Sequence, residues 1–242
     1  MYKKMYERED LFWWHRGIRK IINALLDKYL LQKQGNKILD VGCGTGGMFK
    51  TLARYGEVYG IDKSSQAVGY AKARSLANLV VLSSADSIPF DDATFDVVTC
   101  FDVLYHKWVQ DDSLVLKEIQ RVLKPGGIMF VREASYNWLR SQHDELVWTN
   151  HRFTRDELSQ KIKKAGFKII KRSYVNFFLF PLALIKRISE KIIRKKNPLE
   201  HLFGGNFLVG NFFAFFLYLE AFFIRFIDFP FGLSIICIAK KE

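Results

Sequence analysis

Residues 38–47, ILDVGCGTGG, end an apolar run in an acid and then crowd Gly42, Gly44, Gly46 and Gly47 together. Glycine at a strand-to-turn junction admits positive φ and lets a ligand lie against the backbone. Gly42, Gly44 and Gly47 satisfy G-x-G-x-x-G, while Gly42, Gly44 and Gly46 satisfy G-x-G-x-G. Asp62 follows Gly42 by 20 residues, where a carboxylate at a strand end accepts hydrogen bonds from ribose hydroxyls. The spacing asks for a ribose-bearing ligand without choosing which one. A second chemical group lies at His143, Asp144, His151 and Arg152. Two histidines, an acid and an arginine so close together supply a base, its orienting carboxylate and an anion clamp. His106, directly after an apolar strand, is another candidate base or a wall of the ligand site. No His, Cys or acid spacing suggests a metal.

The elements that must position these groups alternate. KILDVG, EVYGID, LVVLSSAD, FDVVTCFDV and GIMFVREA read as strands. Between them GGMFKTLARYG reads as a helix closed by Gly56, SSQAVGYAKARS as a helix capped by Ser64 or Ser65, and DSLVLKEIQRVLKPGG as a helix with Leu116, Ile119 and Leu123 on one face. Residues 11–33 read as a helix of the N-terminal cap, with Leu11, Ile18, Ile21, Ile22, Leu25, Leu26 and Tyr29 near helical spacing. TRDELSQKIKKAGF is a further helix, capped by Thr154 and stopped by Gly166. KIIKRSYV and LSIICIAKK complete a seven-stranded set, the last an antiparallel edge strand. This is an α/β, Rossmann-like, doubly wound sheet in a single domain over 1–242. Its cap is 1–37, its core 38–175 and 233–242, and a hydrophobic, basic helical insertion occupies 176–232 between the last two strands.

Three scattered cysteines argue against a disulfide framework and for a reducing compartment. The first ten residues lack the apolar core of a signal peptide, so the expected location is the cytoplasm. The net charge of +12 is concentrated at the two ends of the chain around a slightly acidic centre. Such a surface suits anionic lipid, nucleic acid or a phosphorylated substrate.

ILDVGCGTGG, GIDKS, ADSIPFDDATFDVVTCFDVLYH and VLKPGG together resemble the successive motifs of the class I S-adenosylmethionine-dependent methyltransferases, of the type 11 kind, over about 38–134. The FWW..R helix, the HD…H.R(Y/F)T segment and the hydrophobic insertion resemble a prokaryotic branch of that family. The resemblance implies S-adenosylmethionine as cofactor. It places Gly42, Gly44 and Gly46 against the methionine and ribose part, with Asp40 anchoring the loop. It implies that Asp62 holds the ribose, that Ile61 or Lys63 flanks the adenine, and that Asp86 meets the adenine amino group beside Ala85 and Ser87. Phe101 would lie near the methionine portion. Methyl transfer is an in-line displacement needing alignment, exclusion of water and removal of a proton. His143 is the favoured base, with Asp144, His106, His151 and Arg152 as the remaining catalytic candidates. Trp13, Trp14, His15 and Arg16 on the cap either close over the site or staple the helix to the sheet.

The insertion holds most of the 22 phenylalanines. After Pro181 an amphipathic helix sets Ile185, Ile188 and Ile192 against Lys186, Arg187, Lys191, Arg194, Lys195 and Lys196, a pattern suited to an anionic membrane interface. Residues 202–219 carry no charge, yet their glycines and asparagines, followed by Glu220 and Arg225, argue against a bilayer span. The acceptor expected is small or lipid-linked and amphiphilic, met at the inner membrane face through 181–231. A second small core, or a homodimer interface, built on the phenylalanines is the competing reading of the insertion. The other functional readings are an RNA methyltransferase, disfavoured because no RNA-binding module is recognisable, and a non-catalytic cofactor-binding subunit.

Overall fold

The structure, a computed structural model, describes residues 1–30, 35–192 and 207–242, apart from the side chains of 142, 143, 189–192, 207 and 208. Seven strands form one sheet: β1 (Asn36–Val41), β2 (Gly56–Asp62), β3 (Leu79–Leu82), β4 (Phe95–Phe101), β5 (Leu123–Ala134), β6 (Phe167–Val175) and β7 (Ser234–Lys241). Their order is β3-β2-β1-β4-β5-β7-β6. Strands β1 to β5 pair in parallel, and β7 runs antiparallel to both neighbours. The order reverses between β1 and β4, which opens a crevice beyond their C-terminal ends. Helices cover both faces, so the central strands read as unbroken apolar runs: Ile38, Leu39, Val41, Val97, Val98, Met129, Phe130 and Val131 are all buried.

Strand β7 departs from the expectation of an edge. It lies between β5 and β6, and Ile235 through Ala239 are fully enclosed. An alternating pattern would mark one wet face, but SIICIA has none, and β6, with Lys168, Ile170 and Arg172 exposed, is the edge instead. The helix expected over 46–56 is reduced to α3 (Phe49–Leu52). Turns of the i→i+3 kind surround it, and Gly56 does not stop a helix but begins β2, pressed onto β1. A Cβ there would fall 1.9 Å from the Asn36 carbonyl oxygen.

The N-terminal cap is two helices: α1 (Tyr2–Arg8), which has no buried stripe, and α2 (Trp13–Leu30). The latter buries Trp13, Gly17, Ile18, Ile21, Ile22, Leu25, Leu26 and Leu30 at helical spacing. Ser64 caps α4 (Ser65–Ala73), Asp111 caps α5 (Asp112–Val122), and a Thr154–Glu157 capping box starts α7 (Arg155–Lys164). Between β5 and α7 the chain makes a short helix, α6 (Gln142–Leu146).

Two helices of the insertion fall among the described residues, α8 (Phe180–Ile192) and α9 (Phe207–Phe223). The inner face of α9 is core. Phe213 packs on Trp13 at 5.3 Å, Gly210 lies against that indole, and a Cβ on Gly17 would fall 2.2 Å from Leu217 Cδ1. Glu220, also fully buried, accepts hydrogen bonds from the backbone N–H of Asn176 (2.6 Å) and Phe177 (2.8 Å), tying α9 to the end of β6. Its outer face is different: Phe212, Phe215, Tyr218 and Phe222 stand exposed, and Phe226 and Ile227 continue the patch beyond the helix. No described helix is long and apolar enough to cross a membrane. Arg194, Lys195 and Lys196 lie outside the described residues.

Candidate active site

Two cavities open at the crevice and meet at Asp102. The first, about 110 Å³, is lined by Gly42, Asp62, Lys63, Ser83, Ser84, Ala85, Val103 and His106, and α1 contributes Tyr2. The turn after β1 is a run of left-handed glycines, with φ of +69° at Gly42, +56° at Gly44 and +78° at Gly46. Space explains Gly42 and Gly46 further, because a Cβ would meet Val103 Cγ2 at 2.4 Å and the Phe49 ring at 2.8 Å. At Gly44 nothing but Met5 Cε comes within 4 Å.

Asp62 is held as an acceptor. Its two oxygens take the N–H of Gly44 (2.9 Å) and of Ser64 (2.8 Å). A carboxylate offers about four lone-pair positions, so about two remain for a ligand in the cavity. Asp40 does not line the cavity. It sits beneath the glycine turn, accepts the Thr99 hydroxyl at 2.6 Å, and burial pushes it up to about 7. Ala85 and Lys63 line the cavity, whereas Asp86 and Ser87 are on an exposed turn and Phe101 is half-buried just outside it.

The second cavity, about 170 Å³, is lined by Trp14, Asp102, Tyr105, Arg132, Asp144, Val147, Thr149, Arg152 and, from α8, Arg187. Asp144 and Arg152 meet at 2.7 Å between Oδ1 and Nε. Although burial pushes Asp144 up, the hydrogen bonds from Arg152 and the Ser141 backbone hold it below the usual carboxylate value. Arg187 approaches the other oxygen at 3.5 Å and donates to the Leu139 carbonyl. Arg132 pairs with Asp102, which follows β4 with φ +60°. Behind the junction, buried Glu133 takes the N–H groups of Val103, Leu104 and Tyr105 and so shapes the turn that carries Asp102.

The histidines separate. His106 lines the first cavity and packs on Trp108 and Trp148; its Nδ1 accepts the Trp108 N–H at 3.2 Å. Burial and Lys107 lower its pKa, so the neutral ring carries its proton on Nε2 and is a donor there. His151 lines neither cavity: Nε2 meets Glu157 at 2.8 Å and Nδ1 meets Asn137 at 3.2 Å. The side chain of His143 is outside the described residues, although its backbone opens α6 beside Asp144. Trp13 is core, Trp14 faces the second cavity and Arg16 is exposed. Sequence reasoning missed Tyr2, Ser83, Asp102, Tyr105, Arg132 and Arg187. Asp102 and Tyr105 had a usable signal, lying directly after the fourth strand.

Comparison with known proteins agrees with this architecture. Residues 39–131 match the family Methyltransf_11, "Methyltransferase domain". A demethylmenaquinone methyltransferase of Geobacillus is 36% identical over 170 residues, covering 56% of this chain and 72% of the relative. The malonyl-[acyl-carrier protein] O-methyltransferase of Erwinia billingiae is 34% identical over 114 residues, covering 47% and 45%. An S-adenosylmethionine-dependent methyltransferase structure from Thermotoga maritima superposes with a TM-score of 0.63 at 18% identity, covering 99% of this chain and 95% of that one, which speaks for the fold. The chain belongs to the class I S-adenosylmethionine-dependent methyltransferases, with S-adenosylmethionine as cofactor. It spans about half the length of several of the curated relatives it matches. The first cavity fits that cofactor: a glycine turn open at Gly44, a carboxylate with acceptor capacity to spare, and the apolar wall of Val103, Trp108 and Val109.

Proposed function

We propose that the protein transfers a methyl group to an amphiphilic acceptor, small or lipid-linked, whose reactive end enters the second cavity while its apolar part follows the insertion toward a membrane surface. The cofactor supplies an electrophilic methyl on a sulfonium. The chain's own part is to bind, align and keep out water. Gly42, Gly44, Asp62, Lys63 and Ala85 hold the cofactor, with Asp40 and Gly46 shaping the turn and Asp86, Ser87 and Phe101 bordering it. Asp102, shared by both cavities, orients the nucleophile of the acceptor. Asp144 and Arg152 form the acceptor wall, and His143 remains the proposed base, its backbone neighbouring that wall. His106 acts as a donor and wall, and His151 orders the start of α7.

The observation that carries the membrane part is that one insertion does two things. Arg187 of α8 lines the acceptor cavity, while α9 and residues 226–227 expose a phenylalanine-rich patch. Apolar patches of this kind mark membrane or protein contacts, and the basic balance of the chain favours an anionic surface. The acceptors named for the relatives differ among themselves, so the choice rests on this chain's own surface. Flotation with phosphatidylglycerol-containing vesicles tests it. Co-flotation that weakens at high salt is expected. A protein that ignores such vesicles and sediments as a dimer would assign the patch to a second subunit.

A further inference from the structure

Gly47, the fourth glycine of the turn after β1, has no left-handed φ to account for it. What stands over it is Glu9: a Cβ on Gly47 would fall 2.3 Å from Glu9 Oε2. Glu9 is buried in the joint between α1 and α2. Its Oε1 accepts the Thr45 hydroxyl and the Arg74 guanidinium, each at 2.5 Å. Arg74, at the end of α4, closes the triangle by donating from Nε to the Thr45 carbonyl at 2.7 Å, and it also donates from Nη1 to Asp10 at 2.9 Å. A buried carboxylate and guanidinium keep one geometry, because separating them leaves a charge unpaired away from water. The chain is thus bolted to the cofactor turn at Glu9. What precedes the bolt is held lightly: α1 buries no residue. It rests on α4 through Tyr6, which packs on Tyr70 at 5.0 Å and carries the Arg74 guanidinium 4.7 Å over its ring. Two more of its side chains meet the cofactor site. Tyr2 lines the first cavity, its hydroxyl bonded to Ser64 and close enough to Asp62 to feel that charge. Met5 Cε stands over the open side of Gly44. A segment with so few buried contacts opens at little cost.

We propose that α1 is a lid on the cofactor, with Tyr2 as a further cofactor-binding residue and the Glu9–Arg74–Thr45 lock as its hinge. Tyr2 closes over the end of the cofactor held by Asp62, and Met5 covers the part lying against Gly44. The lid swings out for the nucleoside to enter and folds back onto it, so release waits on the opening of α1. Glu9 is a positioning residue: its carboxylate presses on Gly47 and bonds Thr45, which sets the lid by the geometry of the turn beneath it. This rests on the first cavity being the cofactor site and is independent of the acceptor.

Hydrogen exchange of residues 1–10, read by mass spectrometry on the full chain with and without S-adenosylhomocysteine, tests the closure. Saturation with the nucleoside should slow their exchange by about tenfold or more. Release of the nucleoside, followed by surface plasmon resonance, tests the residues. Y2A should speed release by about tenfold or more at an unchanged melting temperature, and Y2F, which keeps the ring, should speed it less. K4Q, an exposed charge on the same helix, should leave release within about twofold. Glu9→Gln keeps an acceptor for Thr45 and loses the charge pairing with Arg74. It should speed release as Y2A does and abolish the added protection of residues 1–8, and wild-type values of both would remove Glu9 as the hinge. Y2A and Y2F leave that lock in place, so the lid is decided even where Glu9→Gln does not fold. If the nucleoside binds and exchange of residues 1–10 is unchanged, or Y2A releases it as K4Q does, α1 is not a lid. If the nucleoside fails to bind the wild type, the cofactor site itself falls, and the lid with it.

Discussion

Asp62 and Asp40 show how one residue type takes two roles on neighbouring strands. Asp62 stands at a strand end with backbone N–H groups on both oxygens and the cavity in front of it. Asp40 is enclosed, pushed up to about 7 by burial, and accepts the Thr99 hydroxyl, away from the cavity. Truncating the first should remove the ribose partner, and truncating the second should loosen the glycine turn. Asp62→Ala is expected to weaken S-adenosylmethionine binding by about 1–3 kcal/mol, the usual loss when a polar ligand group is left unpaired. Calorimetry of the variant checks this, and unchanged affinity would remove Asp62 from the cofactor site. The same scale separates the histidines. The tautomer of His106 is set by the Trp108 N–H, and both ring nitrogens of His151 are engaged, facts that residue type alone does not convey.

Among the elements, α9 is packed on α2 through its apolar face and tied to the end of β6 by one buried polar group. Glu220 bonds the Asn176 and Phe177 amides, and Asn176 itself turns with φ +63° to begin the insertion. Burial raises Glu220 from 4.5 to about 7. The folded state then binds the proton more tightly than the unfolded chain, so stability is greatest at low pH and declines as pH climbs from about 4.5 to about 7. Glu220→Gln keeps an acceptor for the amides and removes the titration. Denaturant unfolding at pH 5 and pH 8 should show a larger loss of stability in the wild type than in this variant. Asp40, raised in the same direction, and His15, lowered, are present in both proteins and cancel in the comparison. Equal losses would mean that Glu220 is not the titrating group.

At the scale of the whole molecule, the sheet, cap and insertion share one hydrophobic core, and what is left over is a face. Trp13, Phe213, Leu217 and Ile224 belong to that core, while Phe212, Phe215, Phe222 and Phe226 point away from it. Replacing Phe215, Phe222 and Phe226 by Ser removes apolar area that is mostly exposed to solvent. The triple variant should keep its melting temperature and cofactor affinity, and its partition onto anionic vesicles should drop by roughly tenfold or more. Should the variant partition as the wild type does, the patch is not the membrane contact. Reversal of Lys191, Arg194, Lys195 and Lys196 to Glu is the electrostatic counterpart, with about 1 kcal/mol expected per surface-bound base.

Local physics made much of this legible in the chain. Glycines that must turn left-handed, an acid at the next strand end, caps at Ser64, Asp111 and Thr154, and apolar runs of strand length each depend on near neighbours, so the doubly wound sheet and cofactor turn can be read in order. The second cavity draws instead on α2, the ends of β4 and β5, α6 and α8, far apart in sequence. Arg132 and Arg187 carry no local mark, since an arginine in a strand or on an amphipathic helix reads as a surface charge until something encloses it. The place of β7 is likewise tertiary: SIICIA specifies burial on both faces, but which two strands it enters between is decided by the pairing with β5 and β6. The insertion shows both at once. Periodicity says that its phenylalanines lie on helices, and only packing against α2 decides which of them are core and which remain exposed.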